Sequence, residues 1–81
     1  MDRNLALTRL AALLREVMDD ESLIIDETSS VQQLEGWDSI AQVSIIAATE
    51  TEFGLKIRLE ELPSTYHVKG LLDIITARAT K

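Results

Sequence analysis

Leu7, Leu10, Leu14, Val17 and Met18 recur at helical spacing, with Arg9, Arg15 and Glu16 on other faces. That pattern predicts an amphipathic helix of roughly four turns. Asp19 and Asp20 follow it, and negative charge there opposes the helix dipole, so the helix should stop. No period holds from Asp19 to Trp37. A compact domain rarely carries so much loose chain, so Leu23, Ile24, Ile25, Val31 and Leu34 are expected to anchor it. Ser30 with Gln33 three residues on has the pattern of a capping box for one short turn.

A second helix is predicted from about Ser39 to Phe53. Ile40, Val43, Ile46 or Ala47, Glu50 and Phe53 trace its faces, and Gly54 stands where a C-terminal capping glycine belongs. The β-branched Val43, Ile45 and Ile46 would also suit a strand, but Ala41, Ala47, Ala48 and the length favour helix. After "LKIR" the piece "LEELP" is expected to form a single turn ending near Pro63. Ser64 or Thr65 should then cap a last helix with Val68, Leu71, Leu72 and Ile75 on one stripe, despite the cost of Gly70. The fold class is all-α: a small four-helix bundle of three main helices and one short one, with a long ordered loop between the first two.

Composition narrows the functional classes. A chain of 81 residues fits one domain, here residues 1–81, and its aromatic content of 4% makes the core aliphatic, with Phe53 and Trp37 as the large pieces. Eight basic against 14 acidic residues give a net charge of -6, which repels nucleic acid and anionic lipid and suits partners with basic patches. With no cysteine, thiol chemistry would need a cofactor. The N-terminus has no signal-peptide pattern and no run approaches the ~18 apolar residues of a membrane span, so a cytoplasmic protein is expected.

His67 is the single histidine, and "DDESLIID" lacks the spacing and glycine of a calcium loop, so no metal site is expected. Ser39 lacks the G-x-S-x-G elbow of a serine hydrolase, and His67 lies on or next to a different helix. Independent enzymatic activity is not expected. Two readings of Ser39 stay open. With Gln42 three residues later it forms a capping box. If Asp38 caps instead, Ser39 is a first-turn residue with a free hydroxyl, and a phosphate on it would lie near unpaired helix N–H groups.

At these residues the chain resembles an acyl carrier protein. "SSVQQLEGWDSIAQVSIIAATETEFGLKI" is similar to the family's loop turn, Gly-x-Asp-Ser-Leu, and apolar helix ending in acids and Phe, with Ile40 in place of the commoner Leu. The order of elements agrees over nearly the whole chain. The resemblance implies that Ser39 is the attachment point of phosphopantetheine, transferred from coenzyme A by a separate phosphopantetheinyl transferase. It implies that Asp38 caps the helix beside that site, and that acyl or aminoacyl groups are carried as thioesters. Ile40, Val43 and Ala47 would form an apolar contact strip, and Glu50 and Glu52 would meet basic partner surfaces. The partners implied are an acyl- or aminoacyl-loading ligase and downstream synthases or transferases, served by a monomer. Ala41, Gln42 and Ser44 are neutral where fatty-acid carriers have acids, and Trp37 in "GWDS" is similar to stand-alone carriers of specialised pathways. The rival is a small acidic helical adaptor in which Ser39 is only a cap. An isolated carbohydrate or lipid binder would need a preformed cavity.

Overall fold

The computed structural model describes residues 1–81. Three α-helices are present: α1 (Arg3–Val17), α2 (Ser39–Phe53) and α3 (Val68–Arg78). A 3-10 turn at Val31–Gln33 lies in the first loop, and a 3-10 helix at Leu59–Tyr66 precedes α3. The all-α, four-helix expectation is what the structure has.

α1 begins because Asp2 accepts the Leu5 N–H on its carboxylate at 3.0 Å, which satisfies one of the otherwise unpaired first-turn donors. It ends at Val17, and Asp19 turns the chain with a positive φ of 52°. Ala6, Leu10, Ala11, Leu13 and Leu14 are its buried face, with Leu7, Val17 and Met18 packed partly against the core. α2 is capped by Gly54 at φ 62°, a left-handed conformation that glycine adopts without a Cβ penalty. Phe53 is fully buried at its end, and the aliphatic core closes with Val68, Leu71, Leu72, Ile74 and Ile75 of α3.

The long loop is ordered by polar contacts as much as by apolar ones. Asp20 folds back on the N–H and hydroxyl of Ser22, and Asp26 does the same with Thr28. Arg15 donates to the Leu23 carbonyl at 2.8 Å, and Arg3 reaches both Glu27 and Asp73. Ile25 and Val31 are buried and Leu23 and Leu34 half-buried, as an anchored loop requires. Ile24 is a correction: it is 87% exposed, because Leu23 and Ile25 take the inward positions on either side.

Three local expectations also change. Ser30 makes no capping bond; its hydroxyl donates to the Tyr66 carbonyl at 3.3 Å, and a β-bridge pairs it with His67. The segment after "LKIR" does not stop near Pro63 but runs on to Tyr66. Proline's fixed φ lies within the 3-10 range, and only its own ladder bond is lost. Neither Ser64 nor Thr65 caps α3. His67 occupies the cap position, and the Val68 N–H is taken by the Ser29 carbonyl at 3.1 Å, so the loop supplies the acceptor.

Candidate functional site

The junction of the first loop with α2 settles which residue caps the helix. Asp38 has extended backbone angles, and its Oδ1 accepts the Ala41 N–H at 2.7 Å. Ser39 is therefore the first residue of α2, exposed, with a hydroxyl that bonds to no other group of the protein. The capping box of Ser39 with Gln42 is corrected. Gln42 is buried and turned inward, where its Nε2 donates to Thr65 Oγ1 at 2.8 Å and its Oε1 accepts the Trp37 indole N–H at 2.8 Å. The adaptor reading, in which Ser39 serves as the cap, loses the contact it requires.

The same turn explains what the hydroxyl can accept. The Gln42 N–H bonds to the Asp38 carbonyl at 3.0 Å and opens the helical ladder, while the N–H groups of Ser39 and Ile40 have no acceptor in the protein. A phosphodiester on Ser39 would carry its negative charge beside these donors, at the positive end of the α2 dipole. The exposed position leaves room for a flexible arm. These residues fit a phosphopantetheine group attached at Ser39.

α2 shows two faces. The buried stripe is Gln42, Ile45, Thr49 and Phe53. Ile40 and Val43 are 77% and 67% exposed, and Ala47 is exposed as well, so the apolar residues nearest Ser39 lie on the outer face. Ile40, Val43 and Glu50, read from sequence as tracing the helix faces, are thus not its core contacts.

Both acids placed beside this strip have partners within the chain. Glu50 Oε2 accepts the Ile57 N–H at 2.8 Å, which holds the chain after Gly54 against the helix. Glu52 pairs with Arg9 at 2.9 Å, and the same guanidinium donates to the Glu52 carbonyl and stacks 4.7 Å from the centroid of the Phe53 ring. His67 lies at the start of α3 and is exposed. No three histidine, aspartate or glutamate side chains gather to hold a metal ion.

No family model and no curated protein matches the chain. Among solved structures, the solution NMR structure of the holo acyl carrier protein from Geobacter metallireducens matches it with a TM-score of 0.80, at 28% sequence identity. The match covers 88% of this chain and 82% of that one. The chain thus has the fold of an acyl carrier protein and is similar to one in sequence.

Sequence reasoning took Gln42 and Thr65 for capping residues and missed their buried pairing. Their signal was the register of Phe53: stepping back from it by helical spacing reaches Thr49, Ile45 and Gln42, so the inward stripe was readable once Phe53 was taken as its anchor. Each polar atom of the Gln42–Thr65 pair is satisfied, and removing one partner alone would leave the other unpaired at a cost of about 1–3 kcal/mol.

Proposed function

We propose that this protein carries acyl or aminoacyl intermediates on a phosphopantetheine arm attached to Ser39. The observation that supports it best is the division of labour at the start of α2: Asp38 caps the helix, and the adjacent Ser39 hydroxyl is exposed and unbonded. When attached, the arm supplies a terminal thiol, which a chain without cysteine cannot provide for itself.

Ser39 is the acceptor, with coenzyme A as donor and a separate phosphopantetheinyl transferase as the enzyme. Asp38 holds the first turn in shape, so that the serine is presented at a fixed place on a rigid helix. The unpaired N–H groups of Ser39 and Ile40 face the new negative charge with the favourable end of the helix dipole. Tethering then raises the local concentration of the load at each enzyme that docks. Ile40, Val43 and Ala47 form the apolar part of the docking face, with Glu50 and Glu52 adding negative charge along the same helix for basic partner surfaces. The partners are a loading ligase and the synthases or transferases that consume the load.

Incubation of wild type and Ser39→Ala with coenzyme A and a broad-specificity phosphopantetheinyl transferase, read by intact mass, tests this reading. One phosphopantetheine should be gained by the wild type and none by the variant, with both chains equally folded by circular dichroism. An unmodified wild type, beside a control carrier that is modified, would overturn it.

A further inference from the structure

The first turns of α2 meet the 3-10 helix before α3 through a polar bridge rather than through alkyl contact. Gln42 is only 6% exposed. Its amide donates to Thr65 Oγ1 at 2.8 Å and, more weakly, to the Thr65 carbonyl at 3.4 Å. Thr65 Oγ1 donates onward to the Leu62 carbonyl at 2.6 Å, and the Trp37 indole N–H closes the other end on Gln42 Oε1. Trp37 and Tyr66 stand edge to face beside it, with ring centroids 6.1 Å apart. No buried side-chain polar atom is left unpaired.

The bridge closes the seam between α2 and the 3-10 helix beside Ser39. Gln42 follows Ser39 by three residues, just under one helical turn. Three residues farther along the chain from each partner are the fully buried Ile45 of α2 and Val68, the first residue of α3. An alkyl chain that entered the core by this seam would part Gln42 from Thr65. It would then set an amide and a hydroxyl against hydrocarbon, with no water to replace the bonds they lost. The gain from burying methylenes is offset at the entrance, and a bonded network in a dry site resists such opening.

We propose that the Trp37–Gln42–Thr65 bridge is a polar latch that keeps the carried group out of the helical core. It matches this carrier to short or polar acyl and aminoacyl groups, which lose little by staying in water, rather than to long alkyl chains. The inference rests on the carrier reading. Gln42 is here a positioning residue that determines specificity through Thr65, without itself touching the arm.

The test loads the wild type from acetyl-coenzyme A and from octanoyl-coenzyme A, confirms each product by intact mass, and compares melting temperature and the methyl NMR shifts of Ile45, Val68 and Leu71. The two wild-type products should melt within about 1 °C of each other, with core methyl shifts unchanged. In Gln42→Met/Thr65→Val, where alkyl groups of similar shape replace both partners, the octanoyl product should melt about 4 °C or more above the acetyl product, with the core methyl signals displaced. An octanoyl chain that stabilises the wild type and shifts its core methyls would overturn the latch while leaving the carrier reading intact. A wild type that accepts no arm from either donor would overturn both.

Should the double variant not fold, hydrogen exchange in the wild type decides. The Trp37 indole and Gln42 amide protons should exchange slowly, and equally slowly in the acetyl and octanoyl products. Loss of that protection on octanoyl loading would show the latch opening and contradict the proposal.

Discussion

Asp38 Oδ1 accepts the Ala41 N–H at 2.7 Å, and this one bond decides the chemical availability of Ser39. With the cap supplied by the aspartate, the serine enters the helix with its hydroxyl unused.

Stability at this junction should therefore follow Asp38 and not Ser39. Asp38→Ala is expected to cost about 1 kcal/mol, which lowers the melting temperature by about 4–8 °C in a domain of this size. Asp38→Asn keeps an acceptor and should recover most of that loss. Ser39→Ala removes no bond and should change stability by less than about 0.5 kcal/mol. Thermal melts of the three variants check the assignment, and a large loss in Ser39→Ala would restore the serine as the cap.

Glu50 combines a structural bond with the charge assigned to docking. Glu50→Gln keeps an acceptor for the Ile57 N–H and removes the charge, whereas Glu50→Lys removes both. Glu50→Gln should thus melt near the wild type and Glu50→Lys clearly below it. Partner association should weaken in both and most strongly at low salt, because screening hides exposed charges at higher ionic strength. Partner kinetics in Glu50→Gln that match the wild type at every salt concentration would remove Glu50 from the docking face.

Gly70 stands inside α3, where its helix propensity is poor, but the structure shows why an alanine would be worse. A Cβ built on Gly70 overlaps the Ser64 backbone carbonyl of the 3-10 helix packed against it. Gly70→Ala would gain about 1 kcal/mol in propensity and lose more to overpacking against a backbone that cannot rotate away. A net drop in melting temperature is expected, and a rise would show that the two helices separate freely.

Acid should weaken the fold through carboxylates that are held ionised. The Arg78 guanidinium, helped by the Arg58 N–H, holds the Glu61 carboxyl below its ordinary range. Arg3 does the same for Glu27, Lys69 and then Arg3 for Asp73, and the hydroxyls and N–H groups of Ser22 and Thr28 for Asp20 and Asp26. A carboxyl whose folded pKa lies below its unfolded value contributes fully above the unfolded value and loses that contribution as pH falls through the folded one. The melting temperature should be flat down to about pH 5 and fall below it. The difference between wild type and Glu61→Gln should shrink over the same acid range, and a constant difference would deny the pairing.

The helices were legible because their signals are local. Apolar spacing marked α1 and α3, and the Asp38-Ser39 junction with Gly54 marked α2 at both ends. What stayed hidden depends on neighbours distant in sequence. Ser30 looks like a cap until Tyr66 is placed beside it, and the start of α3 shows no side-chain cap because Ser29 supplies its acceptor from the loop. Gln42 and Thr65 read from sequence as capping residues, yet each is the other's partner in the interior. Spacing alone would turn Ile40 and Val43 to the core, as an apolar stripe on a helix normally is, and only the resemblance pointed to the outer position they occupy. At the site, the resemblance singled out Ser39, and the geometry of Asp38 then decided between the two readings of its hydroxyl that the sequence left open.

Ser44 provides an internal control on the central claim. It is exposed on the same helix, but lies beyond the first turn, away from the unpaired N–H groups. Peptide fragmentation of the coenzyme A-treated wild type by tandem mass spectrometry is the most direct measurement. The account predicts phosphopantetheine on Ser39 and an unmodified Ser44. Modification at Ser44, or none on the helix, would contradict it.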